Sequence, residues 1–214
     1  FKFKLNMKKV LLSAVALLAF GFANAQEGEK SANGGFSKGD VFVTGAVTFG
    51  STNDKDFDVK TNGFEIAPQV GYFLTENIAI GGKLGFASYK EETSGTDTED
   101  MAGFTVGAFG RYYFTPADKF SLFAELGFDY TSFDEEFDAE TGTVYGGSFE
   151  SKEIGLGLGA GMNYFVSPNF SIEAGVAVLG YSSNDNGGNG ADKTNTFSFG
   201  GDWRAVTFGV NYKF

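Results

Sequence analysis

The sequence contains no cysteine and no histidine. The first absence excludes a disulfide framework and any thiolate metal site. The second removes the commonest general base and the commonest metal ligand. Beyond residue 25 no apolar run is long enough to form a membrane helix. Basic residues are scarce, 16 against 27 acidic ones, and Lys2, Lys4, Lys8 and Lys9 lie in an N-terminal leader. A chain this acidic presents no basic face to nucleic acid. Nothing in the pattern calls for a cofactor or a resident metal.

What the chain has in quantity is glycine (32), phenylalanine (26) and tyrosine (9). Their arrangement is clearest from Glu153 to Phe165, which reads E-I-G-L-G-L-G-A-G-M-N-Y-F. Ile154, Leu156, Leu158, Ala160, Met162 and Tyr164 share one parity; Gly155, Gly157, Gly159, Gly161 and Asn163 share the other. A period of two over this length marks a β-strand with unlike faces. As a helix, the stretch would lose roughly 1 kcal/mol at each alternate glycine. At about 3.3 Å per residue, a tilted strand of this kind is long enough to cross a bilayer.

The N-terminus sets the compartment. Met7, Lys8 and Lys9 open a basic segment, Val10 to Phe22 form a short apolar core, and Ala23-Asn24-Ala25 is an A-x-A cleavage site. This is the pattern of a secretory signal peptide over 7–25, cut after Ala25, with residues 1–6 as a non-native extension. Residues 26–39 are polar and glycine-rich and are expected to form a flexible periplasmic lead-in. Residues 40–214 form the remaining domain.

Eight alternating segments fall near 40–50, 64–74, 78–89, 101–114, 120–131, 150–166, 170–181 and 203–214. Short connections at 75–77, 115–119 and 167–169 alternate with long polar ones at 51–63, 90–100, 132–149 and 182–202. This places tight turns at one end of a sheet and long loops at the other. The expected fold is all-β: an eight-stranded antiparallel up-and-down transmembrane barrel behind a cleavable signal peptide. The short turns repeat a motif. Tyr72-Phe73-Leu74-Thr75-Glu76-Asn77 resembles Tyr164-Phe165-Val166-Ser167-Pro168-Asn169, with a looser copy at Tyr113-Phe114-Thr115-Pro116. Aromatics repeated at one end of successive strands suit a belt at the lipid headgroups.

Sorting by parity gives an apolar face that includes Val47, Ile66, Leu84, Val106, Leu126, Val176, Val178 and Val210. The opposite face carries Lys83, Arg111, Glu125, Glu173, Asn211 and many glycines. A soluble barrel would turn the apolar face inward. That would leave strand six with a bare glycine exterior, so we expect the apolar face to meet lipid. Eight strands leave an interior wide enough only for side chains. Lys83, Arg111, Glu125 and Glu173 are therefore expected to form a lumen charge network, Lys83 with Glu125 and Arg111 with Glu173, because an unpaired charge there is costly. A plugged polar core is favoured over a narrow porin-like path for ions or very small solutes. Pro68, mid-strand and without an N–H, is expected to mark a bulge or local irregularity.

The long polar segments hold most of the acidic residues, most densely at Asp134-Glu135-Glu136. The stretch from Asn184 to Asp192 superficially suggests a calcium loop but lacks the EF-hand spacing and its closing Glu. A carboxylate dyad such as Glu65 with Glu125 is one catalytic arrangement to weigh, and nothing marks it above a structural role. The chain is read as non-enzymatic.

Together the leader, the alternating segments, the turn asymmetry, the mixed-charge lumen and the terminal Tyr212-Lys213-Phe214 resemble the small outer-membrane β-barrel proteins of the OmpX and OmpA transmembrane-domain type. The resemblance covers about 40–214. It implies an integral outer-membrane protein of a Gram-negative bacterium, in contact with lipid and lipopolysaccharide. It also implies that Tyr212 and Phe214 form the signal read by the barrel-assembly machinery, and that the role is envelope integrity or surface interaction through a ligand held by the loops.

Overall fold

The computed structural model describes residues 34–137, 147–188, 190–200 and 206–214. The expected leader, with its cleavage at Ala25, lies outside the described residues, as do residues 138–146 of the connection expected at 132–149. The strands are β1 (Val41–Asp54), β2 (Val59–Phe73), β3 (Ile78–Thr93), β4 (Thr96–Tyr113), β5 (Phe120–Phe137), β6 (Gly147–Phe165), β7 (Phe170–Asn184), β8 (Thr194–Phe199) and β9 (Thr207–Lys213). Each pairs antiparallel with its sequence neighbour from β1 to β7. β9 pairs with Phe170–Gly175 of β7, and β8 pairs with Leu179–Asn184 above it. The two are thus successive pieces of one wall, and the barrel has eight walls. It closes where Phe42 to Gly45 of β1 meet Val210 to Lys213 of β9.

The two-residue period decides which way each side chain points. Leu122, Leu126 and Phe128 of β5, and Ile154, Leu156, Leu158 and Met162 of β6, are all exposed on the outside. Arg111, Asn163, Ser171, Glu173 and Asn211 are buried within. The apolar exterior runs around the barrel, as a strand crossing lipid requires.

Three expectations are corrected or narrowed. The long polar segments are largely strand: β3 and β4 run through 90–100 and turn at Ser94-Gly95 alone. Both turn residues have positive φ, 53° and 80°, the backbone twist that a two-residue hairpin needs. β6 extends over 19 residues, well beyond the about 9–11 needed to span the hydrocarbon layer, so the paired strands stand out of it. Charged side chains along Glu91, Glu92 and Glu99 disguise those strands as loop, because a strand in water on both faces has no apolar alternation. Second, of the bulge or local irregularity expected at Pro68, the structure shows the irregularity and not the bulge. Ile66 pairs with Phe86 and Gln69 with Lys83 in the same register, and the ladder simply lapses between them, where Pro68 has no N–H to give. Third, a real register shift opposite Leu158 leaves Val178 unmatched. Leu179 and Tyr181, rather than a continuation of the Val176–Val178 parity, then align with Leu158 and Leu156.

The repeated turns do the same work at the hydrogen-bond level. Ile78 N–H donates to Thr75 Oγ1 (3.0 Å), and Phe170 N–H to Ser167 Oγ (3.1 Å). Asn77 Nδ2 donates to the Tyr113 carbonyl (2.8 Å), and Asn169 Nδ2 to that of Lys213 (2.8 Å). Each Asn thereby ties its turn to the end of the neighbouring strand.

Candidate functional site: the lumen

At the short-turn end the lumen is floored with rings. Phe42, Phe73, Phe109, Tyr113, Phe123 and Phe165 point inward and are buried. Inward glycines make room for them: a Cβ on Gly71, Gly81 or Gly161 would run into the ring of Phe42, Phe109 or Phe123 respectively. Phe36, from the segment before β1, completes the floor and is 0% exposed. Its ring lies 4.7 Å from that of Phe73, 4.9 Å from Phe165 and 5.2 Å from Tyr113. Phe36 N–H donates to the Pro116 carbonyl (2.6 Å), and Lys213 Nζ donates to the Gly35 carbonyl (2.6 Å) and faces Asp40 at 3.4 Å. Residues 34–39, expected as the end of a flexible lead-in, are therefore a strap packed across the barrel mouth.

Above the floor sits Arg111, its side chain 3% exposed. Its Nε donates to Glu125; Nη1 donates to Glu173 (2.8 Å) and to the Tyr113 hydroxyl (3.2 Å); Nη2 donates to Gln69 (3.0 Å). The guanidinium carbon also lies 4.5 Å from the ring centroid of Phe123, 5.1 Å from Phe109 and 5.8 Å from Phe42. Four of the five N–H donors of an arginine are thus engaged while rings pack on its π-faces. Two carboxylates flank one cation in a site shielded from water, where Coulomb attraction is much stronger than at a surface.

Higher still, Lys83 Nζ meets Asp129 at 2.8 Å. Gly107 and Gly127 clear the space for this pair, since a Cβ on either would meet the lysine side chain. A cavity of about 410 Å³ lies here, lined by Glu65, Gln69, Lys83, Arg111, Glu125 and Asp129 among others. Gly157 and Gly159 bound it and leave space on that wall.

Of the four lumen residues singled out by parity, the structure brings Arg111, Glu125 and Glu173 together and places Lys83 elsewhere. The pairing of Lys83 with Glu125 is corrected to Lys83 with Asp129, because barrel shear shifts heights between strands. Glu125 is held by Arg111, which leaves Glu65 without a dyad partner there. Sequence reasoning missed the aromatic floor and Phe36. Parity contained the signal, because Phe73, Tyr113 and Phe165 each sit between outward residues of the repeated turn motif. Tyr212, 42% exposed, lies outside, with its ring edge-on to that of Phe214 at 5.0 Å. Tyr112 and Phe114 repeat this pair at 5.3 Å.

In the connection from β7 to β8, the groups that suggested a cation loop are spent on the backbone. Asp185 Oδ1 accepts from Lys152 N–H (2.8 Å) and Gly187 N–H (3.2 Å). Asn184 Oδ1 accepts from Asn186 N–H (2.7 Å). The Lys152 hydrogen bond first, then that of Gly187, holds the Asp185 carboxyl below its ordinary value of 3.8.

Residues 13–214 match the family model described as outer membrane protein beta-barrel domain. No curated protein matches the chain. Among solved structures, OprG from Pseudomonas aeruginosa is similar at 16% identity and a TM-score of 0.53, covering 84% of this chain and 98% of that one. A major outer membrane protein from Thermus thermophilus is 14% identical with a TM-score of 0.49, covering 82% and 98%. Outer membrane protein W of E. coli is 17% identical with a TM-score of 0.47, covering 83% and 99%. The likeness to OprG concerns the fold alone.

Proposed function

This chain belongs to the outer membrane protein β-barrel domain family and resides in the outer membrane, and from that premise we propose that it is a non-enzymatic barrel with a plugged lumen. The observation that carries this reading is Arg111, clamped by Glu125, Glu173, Gln69 and Tyr113 over a floor of rings. On this reading the rings packed beneath the Arg111 cluster leave a hydrated ion no open path. The absence of histidine and the engagement of Glu125 by Arg111 support a structural rather than catalytic lumen.

The strands that overhang the membrane carry acidic residues and form the surface through which the barrel supports the envelope or meets a ligand. Its other partners on this reading are lipid and lipopolysaccharide along the apolar girdle. The barrel-assembly machinery, reading Tyr212 and Phe214, acts during insertion.

Single-channel recording of refolded protein in planar bilayers tests the plug. The reading expects baseline current; a steady, large conductance contradicts it. The cavity above Arg111 favours a second reading, a narrow path for ions or very small solutes. That reading expects a small conductance that changes in Lys83→Ala and in Glu125→Ala.

A further inference from the structure

The barrel wall is not equally strong all the way round. β1 pairs with β2 through fourteen residue pairs, from Val41–Tyr72 to Asp54–Val59. Against β9 it pairs, among the described residues, through only four, and that ladder stops at Gly45–Val210. Both strands run on past this point, β1 to Asp54 and β9 back to Thr207. Val47, the outward valine just beyond it, is 65% exposed, against 40% for Val106 in the continuous wall of β4. A segment held by few backbone hydrogen bonds opens at low free energy, so the β1–β9 seam is where the barrel parts most easily.

The strap at 34–39 bridges that seam. On one side it runs directly into β1 through Asp40. On the other it is tied to β9: Lys213 Nζ donates to the Gly35 carbonyl, faces Asp40 and lies 5.6 Å from the ring centroid of Phe165. The Lys213 side chain is only 3% exposed, so its charge depends on these partners. Asp40 also accepts from Ser37 N–H (2.9 Å), and Gly39 N–H donates to the Phe73 carbonyl (2.9 Å). Across the mouth, Phe36 N–H anchors the strap to the Pro116 carbonyl.

The seat of Phe36 sets the order of events. Its ring packs against Phe42 of β1, Phe73 of β2, Tyr113 of β4 and Phe165 of β6, with centroids 4.7 to 5.5 Å away. No single hairpin carries these four rings, so the seat is complete only in a closed barrel. Parting β1 from β9 pulls Lys213 away from Gly35 and Asp40. We propose that residues 34–39 are a latch, which engages once the barrel has closed and holds the β1–β9 seam shut. This inference goes beyond the plugged-lumen reading and stands whether or not the lumen conducts.

Hydrogen exchange of the refolded protein in detergent micelles, followed amide by amide by NMR, tests it. In the unsubstituted protein the Phe36 amide should exchange at least as fast as the seam amides, because the latch releases before the seam opens. The seam amides include Phe214 N–H, which donates to the Val41 carbonyl (3.0 Å). In Phe36→Ala they should exchange more than about a hundredfold faster, while the β4–β5 ladder from Val106 to Arg111 keeps its rate. Lys213→Met leaves every ring in place and removes only the tie to β9, so it carries the test if Phe36→Ala does not fold. It should speed the seam amides by about tenfold. Three results overturn the latch: seam exchange unchanged in the variants, equal acceleration at the seam and in the β4–β5 ladder, or seam amides faster than that of Phe36 in the unsubstituted protein.

Discussion

Arg111 joins four strands through its side-chain contacts, reaching Gln69 on β2, Glu125 on β5 and Glu173 on β7 from its own place on β4. Removing one member of a buried ion cluster leaves the others charged and uncompensated, at a cost of roughly 3–5 kcal/mol. Arg111→Ala should therefore lower the urea midpoint of the refolded barrel markedly, and Arg111→Lys should restore only part of it, because an ammonium cannot reproduce the planar fork. An unchanged midpoint in Arg111→Ala would remove the cluster from the account. The glycines that seat the rings make a second, independent test. Gly71→Val pushes a side chain into the ring of Phe42, whereas a Cβ at Gly110 has open space. Overpacking of this kind costs about 1–3 kcal/mol, so Gly71→Val should lower the midpoint and Gly110→Val should leave it nearly unchanged. Equal effects at the two positions would mean that ring seating is not what the inner glycine provides.

Among the elements, strands crossing the membrane were legible and their extensions were not. Alternation exposes a strand only where its two faces meet different surroundings, so Ile154 to Met162 announce themselves while Glu91, Glu92 and Glu99 do not. The strap was hidden for a related reason. Gly34 and Gly35 suggest a linker by composition, yet their role is close approach: a Cβ on Gly35 would collide with the backbone of Ala117, and one on Gly34 with Phe165. The floor escaped because phenylalanine was assigned to lipid by residue type, although parity placed Phe73 and Phe165 inside. Outer connections are held by single groups, as Asp185 illustrates. Its folded-state pKa is depressed below 3.8, so its contribution to holding the β7–β8 connection is present at neutral pH. It is lost as the pH falls below 3.8 through the lower folded value. Asp185→Ala should mimic that loss at neutral pH, seen as faster tryptic cleavage after Lys193, with the transmembrane barrel still intact on a gel. Cleavage as slow as in the unsubstituted protein would assign the connection's order to its backbone turns instead.

At the scale of the molecule, the account depends on inverted polarity. Lipid, not a core, takes up the aliphatic side chains, and the interior is filled by an arginine cluster, rings and a small cavity. Stability then rests on the ladder of backbone hydrogen bonds, closed where Phe42 to Gly45 meet Val210 to Lys213, and on the ion cluster around Arg111. The protein's lack of cysteine makes this directly measurable, since single cysteines can be placed without removing any. Cysteines introduced one at a time from Ile154 to Met162 and treated with a small water-soluble thiol reagent in lipid vesicles give that measurement. The account predicts reaction at Gly157 and Gly159, reached through the cavity, and protection by lipid at Ile154, Leu156 and Leu158. Reaction in the opposite phase, or with no period of two, would contradict it.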